Sequence, residues 1–173
     1  MTAKGHIVLA STLAYLPVEY MNEYYSFTES ILVYLLILFG ALLPDIDEPK
    51  SYIGNKLTYF AQFLKLMGLK HRTVTHWFIT PLLIALVGYF LLEDIEQIIV
   101  LSIAFGILAH DIGDLLTKGG IDGFFYPLFP QRKIVLLPRF LRFKTFSIQE
   151  MMLITALVCI NIYIYFLLLK ELV

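Results

Sequence analysis

"MMLITALVCINIYIYFLLL", residues 151–169, is an apolar run interrupted only by Thr155 and Asn161. As a helix it would rise about 28 Å, close to the roughly 30 Å hydrocarbon thickness of a bilayer. Short apolar runs fit the core of a soluble helical protein, but that account does not extend to a stretch of this length. Composition points the same way. The 173 residues are 59% hydrophobic and 16% charged, with a mean hydropathy of +0.78, outside the range of ordinary soluble domains. The fold expected is therefore all-α, an integral membrane helix bundle forming a single domain over 1–173.

Four further apolar segments precede this one, at about 7–17, 31–43, 74–92 and 95–109. Only 74–92 rivals the last in length. The shorter ones must tilt, be extended by their flanks, or be buried against the longer ones. About five apolar helices result. The N-terminus faintly resembles a signal peptide, but no small-x-small cleavage pattern follows, so it reads as a retained helix.

Lys and Arg are unevenly placed. Connector 44–73 holds Lys50, Lys56, Lys65, Lys70 and Arg72, and connector 117–150 holds Lys118, Arg132, Lys133, Arg139, Arg142 and Lys144. The other connectors are acidic, with Glu19, Glu23 and Glu29 in one and Glu93, Asp94 and Glu96 in the other. By the positive-inside rule the basic connectors face the cytoplasm. The chain then crosses an inner (cytoplasmic) membrane in alternating segments and ends outside.

That topology sorts the histidines. The chain has 4 His, namely His6, His71, His76 and His110. They sit at the start of segment one, at the start of segment three in "HRTVTHW" and near the end of segment four in "HDIGDLL". An up-and-down bundle brings those ends to one membrane face, together with Asp45 and Asp47 of "ALLPDIDEPKS" at the end of segment two. His110 and Asp114, four apart, share one helix face and can chelate a single cation. Asp111 can join them or orient His110 from behind. Thr73 is a plausible N-cap for segment three, which places His76 in its first turn and aligns Arg72 with it on one face. A guanidinium there suits a phosphate or carboxylate.

Each feature has a plainer reading. An interfacial His is commonly a satisfied side chain, Asp45 and Asp47 can simply end a helix before Pro49, and Arg72 can be a positive-inside anchor. The plain reading does not explain why every His falls at one end of the bundle. The 11 Tyr and 14 Phe read as packing and interfacial belts rather than a cofactor box. The 1 Cys, Cys159, precludes an intramolecular disulfide and a Cys-based zinc site, so any metal needs His and carboxylate ligands. HExxH, GxSxG, Walker A and dinucleotide motifs are absent. Nothing points to nucleic acid as a partner.

"GALLPDIDEPKS", "HRTVTHW" and "HDIGDLLTKGG", with a His close to the N-terminus, resemble the LexA-binding, inner-membrane-associated metal-dependent hydrolase family over about residues 1–127. The resemblance implies a prokaryotic inner-membrane protein with a hydrolase site. A more distant likeness is to the zinc-dependent phospholipase C and P1 nuclease group, whose later His and Glu ligands have no counterpart here. No histidine follows His110, so one or two divalent ions are expected, with zinc foremost.

The function expected is a membrane-bound metal-dependent hydrolase acting on a phosphoester of a lipid or lipid-linked substrate. Its expected metal ligands are His6, Asp45, Asp47, His71, His110 and Asp114, with His76, Arg72 and Asp111 in catalysis. The rival is a non-enzymatic membrane protein, an ion carrier or partner-binding bundle, using the same cluster. A carrier needs a polar path to the far side, and the spans offer little beyond Thr80, Ser102, Thr155 and Asn161.

Overall fold

The computed structural model describes residues 1–69 and 71–171. Lys70, counted above among the basic residues, and the last two residues lie outside that set.

Helix α1 (Ala3–Leu13) and α2 (Tyr15–Tyr24) are separated at Ala14. The cause is Pro17, which has no N–H to offer and whose ring opposes the carbonyl of Leu13 four residues back. Segment one is thus two helices in a near-continuous rod rather than one short one. Helix α3 (Phe27–Gly40) opens with a capping box. The Ser26 side chain accepts from Glu29 N–H, and the Glu29 side chain accepts from Ser26 N–H. A 3-10 turn over Leu43–Asp47 continues α3, with Pro44 in its first positions. The first long connector is ordered as short helices α4 (Tyr52–Lys56) and α5 (Thr58–Leu66), then a second 3-10 turn at Val74–His76.

Helix α6 spans Ile79–Leu91, which corrects the expectation of a helix from residue 74. Pro81 cannot donate to a carbonyl four residues back, so the helix starts late enough to hold it in the first turn, where no donor is required. His76 therefore lies in the preceding 3-10 turn, and Thr73 makes no N-cap bond there. Helix α7 runs over Asp94–Leu115 and α8 over Ile148–Glu171. The second connector adds a two-residue antiparallel pair, β1 (Ile121–Asp122) with β2 (Lys133–Ile134), in the register Ile121 to Ile134, and an isolated parallel bridge between Thr117 and Phe143.

Among the described residues, three segments are long and apolar enough to cross a bilayer: 27–47, 94–115 and 148–167. Helix α7 is the axis of the bundle. Of its most apolar stretch 56% is buried, against 6% for α8, which packs along one side on α1, with Asn161 Nδ2 donating to the Val8 carbonyl at 3.2 Å and the Tyr165 hydroxyl to that of Ser11 at 2.9 Å. α7 packs chiefly on α3 and α6. Against α3 the backbones meet at glycines, where a Cβ on Gly40 would strike the Ile103 carbonyl and one on Gly106 the Ile37 carbonyl. Ala10, Ala14, Val33, Ile37, Ala41 and Ala109 fill the core between α1, α3 and α7. α8 is tied in by Glu150, whose carboxylate accepts from the backbone N–H of Thr2 and of Phe146, both at 2.6 Å.

Candidate metal centre

The start of α1, the end of α3, the turn before α6 and the end of α7 meet at one end of the bundle, as the alternation of segments requires. His6 and His110 stack with ring centroids 3.6 Å apart and planes 2° from parallel. His76 lies edge-on to His110 at 5.1 Å and to His71 at 5.2 Å. All four imidazoles therefore form one cluster.

Carboxylates face these rings. Asp45 Oδ1 lies 3.6 Å from His110 Nε2, 3.8 Å from His76 Nε2 and 4.0 Å from His71 Nε2. Asp114 approaches from the other side, Oδ2 at 3.8 Å from His76 Nε2 and Oδ1 at 3.4 Å from His6 Nε2. These separations are too long for hydrogen bonds. They are a little wider than the roughly 3.3 Å edge between ligand atoms around a tetrahedral zinc with bonds of about 2.0–2.1 Å. The Nε2 atoms of His6, His76 and His110 are buried and have no hydrogen-bond partner among the described residues. Buried polar atoms without partners are rare, and a bound ion is one arrangement that would satisfy them. Among the described residues three overlapping donor groups result: His6, His110 and Asp114; Asp45, His76 and His110; and Asp47, His71 and His76.

Backbone and side-chain bonds orient the rings. His110 Nδ1 is 2.7 Å from the carbonyl of Ala41. A carbonyl can only accept, so Nδ1 carries the proton and neutral His110 presents its Nε2 lone pair to the cluster. Asp47 holds the outer ring: one oxygen lies 2.8 Å from His71 Nδ1 and the other accepts from Thr75 Oγ1 at 2.6 Å. Thr75 Oγ1 also lies 2.9 Å from His76 Nδ1. Burial lowers the His71 pKa, but its bond to Asp47 and the charges of Asp47 and Asp45 outweigh that and raise it above the ordinary value. The turn carrying Asp45 is pinned from below by Ser51, which donates to the Asp45 carbonyl at 2.6 Å and caps α4.

Arg72 enters the cluster differently from its expected place on a helix face. Its backbone is left-handed, φ 63°, outside any helix, so the alignment of Arg72 with His76 does not occur. The guanidinium is turned onto Asp114, with Nη2 donating to Oδ1 at 3.0 Å and Nε 3.0 Å from Oδ2, while Nη1 donates to the Gly120 carbonyl at 3.0 Å. A Cβ at Gly119 would collide with Nη1, which accounts for one glycine of "TKGG". The Met1 amino group also donates to Asp114 Oδ1.

Of the nine residues singled out, the structure brings together His6, Asp45, Asp47, His71, Arg72, His76, His110 and Asp114. Asp111 stays apart. It is fully buried with neither oxygen hydrogen-bonded among the described residues, and the orienting role toward His110 falls to Ala41. Sequence reasoning missed Ala41, Thr75 and Glu150. A backbone carbonyl leaves no trace in residue type, whereas Thr75, set between Arg72 and His76, could have been weighed.

Fold and cluster together define an all-helical membrane protein with a buried His/Asp centre at one end of its bundle. Residues 1–172 match the profile of the YdjM inner membrane protein family, and the chain belongs to that family. It is 29% identical over 136 residues to the inner membrane protein YdjM of Escherichia coli (strain K12), an alignment covering 70% of this chain and 63% of that one. It is 31% identical over 172 residues to the uncharacterized protein YvsG of Bacillus subtilis (strain 168), covering 97% and 96% of the two chains. The chain thus spans under two thirds of the Escherichia coli relative and nearly all of the Bacillus one. No solved structure matches, and none of these matches supports the expected likeness to the phospholipase C and P1 nuclease group.

Proposed function

We propose that the protein is a metal-dependent hydrolase of the inner membrane, acting on a phosphoester of a lipid or lipid-linked substrate at the cytoplasmic face. The observation that carries the reading is the set of buried imidazole nitrogens of His6, His76 and His110, without hydrogen-bond partners among the described residues and facing Asp45 and Asp114. Nitrogen and oxygen donors of this kind suit a divalent ion, zinc foremost, and the overlapping groups leave room for one or two. Asp45, His76, His110 and Asp114 are the inner ligands, His6 and His71 extend the set to either side, and Asp47 orients His71. A bound divalent ion supplies Lewis acidity toward a phosphoryl group and activates water for attack. Arg72 positions Asp114 and retains N–H donors for an anionic oxygen, since a guanidinium has five and the contacts above engage three. Asp111 has no role in this scheme.

The test is elemental analysis of detergent-purified protein prepared without chelator, paired with a panel of phosphoesters. Wild type should carry stoichiometric metal, and Asp45→Ala and His110→Ala should lose it. Metal-free wild type would sink the reading. Bound metal without turnover of any phosphoester would favour the non-enzymatic alternative.

A further inference from the structure

Helix α5 has an outward face that the bundle does not use. Ala61, 0% exposed, is its buried residue and Thr58 and Leu64 are half-buried, while Tyr59 is 91% and Leu66 87% exposed. At 100° per residue, Tyr59, Phe60, Phe63, Leu66 and Met67 fall within an arc of about 120°, and all of them are exposed. The centre of that arc lies opposite Ala61. Gln62 and Lys65 occupy another side and are also exposed. In a soluble protein such an arc would be a patch calling for a partner.

Depth decides which partner. The 14 residues of α3 rise about 21 Å, and the 5 residues of its 3-10 extension add about 10 Å. Asp47 therefore lies about one hydrocarbon thickness from Phe27. α7, with 22 residues, rises about 33 Å to the same end. α5 packs on the 3-10 turn Leu43–Asp47, so its axis lies at the level where hydrocarbon gives way to headgroups. The second connector at this end is similar, with Leu128, Phe140 and Phe146 exposed among Arg132, Lys133, Arg139 and Lys144. Apolar side chains interleaved with cations match a headgroup layer containing anionic lipid.

We infer that α5 is an interfacial helix, lying in the membrane surface beside the His/Asp cluster with Tyr59, Phe63 and Leu66 in the acyl region and Lys56 and Lys65 among anionic headgroups. This holds whether or not the cluster is catalytic.

Single-cysteine spin labels on the full chain with Cys159→Ser provide the test, in vesicles of phosphatidylethanolamine and phosphatidylglycerol. Collision with oxygen, which concentrates in acyl chains, is compared with collision with a neutral water-soluble nickel chelate. Labels at Tyr59→Cys, Phe63→Cys and Leu66→Cys should favour oxygen over the chelate several-fold relative to labels at Gln62→Cys and Lys65→Cys. Equal chelate access on both sides of α5 would overturn the inference by showing a solvated helix. Exclusion of both reagents from positions 59, 63 and 66 would overturn it by showing a protein-covered face.

Discussion

Arg72 combines a left-handed backbone, φ 63°, with a side chain turned onto Asp114, and non-glycine residues hold that conformation only when the surroundings over-determine it. Here the surroundings are Asp114 and the Gly120 carbonyl, so the residue ties both long connectors to the end of α7. Its first effect should be on metal binding through Asp114. Arg72→Lys keeps the charge but cannot reproduce the two-point contact. It should weaken metal retention by about 10-fold or more, measured by competition with a chelator, and Arg72→Gln should weaken it further. Metal affinity unchanged in both variants, with phosphoester turnover lost, would instead assign the guanidinium to the substrate. Thr75→Val tests the hydroxyl between Asp47 and His76. It removes the donor to the buried Asp47 oxygen and should also loosen metal binding, while an unaltered affinity would show that Asp47 alone holds His71.

At the scale of elements, the cluster depends on how closely α3 and α7 approach. His110 reaches the Ala41 carbonyl because Gly40 and Gly106 let the two backbones touch. A methyl group at Gly106 would meet the Ile37 carbonyl and Gly40 Cα, backbone atoms that cannot move aside as a flexible side chain can. Gly106→Ala should therefore lower stability by about 1–3 kcal/mol, read as a reduced thermal midpoint in detergent, and should separate His110 from Ala41. An unchanged midpoint would mean that the helices can part without cost. The helix ends were partly legible beforehand. The apolar runs place the helices roughly, but the start of α3 is set by the Ser26–Glu29 capping box and the breaks at Ala14 and before Ile79 follow from Pro17 and Pro81, none of which hydropathy registers.

For the whole molecule, antiparallel alternation of the α1/α2 rod, α3, α6, α7 and α8 puts every histidine at the end that also bears the basic connectors. The opposite end carries Glu19, Glu23, Glu29, Glu93, Asp94 and Glu96. Charge asymmetry of this kind sets orientation in the membrane. A phosphatase reporter fused after α8 should be active, and one inserted in the 125–142 region inactive, the reverse of what a cytoplasmic reporter would give. An active cytoplasmic reporter after α8 would overturn the alternation, most simply by showing that α6, with 13 residues, does not cross.

Taken alone, the sequence determined that this is a helical membrane protein and that its histidines meet Asp45 and Asp114, because apolar length and segment alternation are one-dimensional properties. It also paired His110 with Asp114, since four residues make one helical turn. Tertiary structure alone decided the rest. It assigned Ala41 rather than Asp111 to His110, moved Arg72 from a helix face to Asp114, and exposed the outer arc of α5. Those outcomes depend on which backbones approach and which side chains fill the gaps between elements, and no spacing along the chain encodes that.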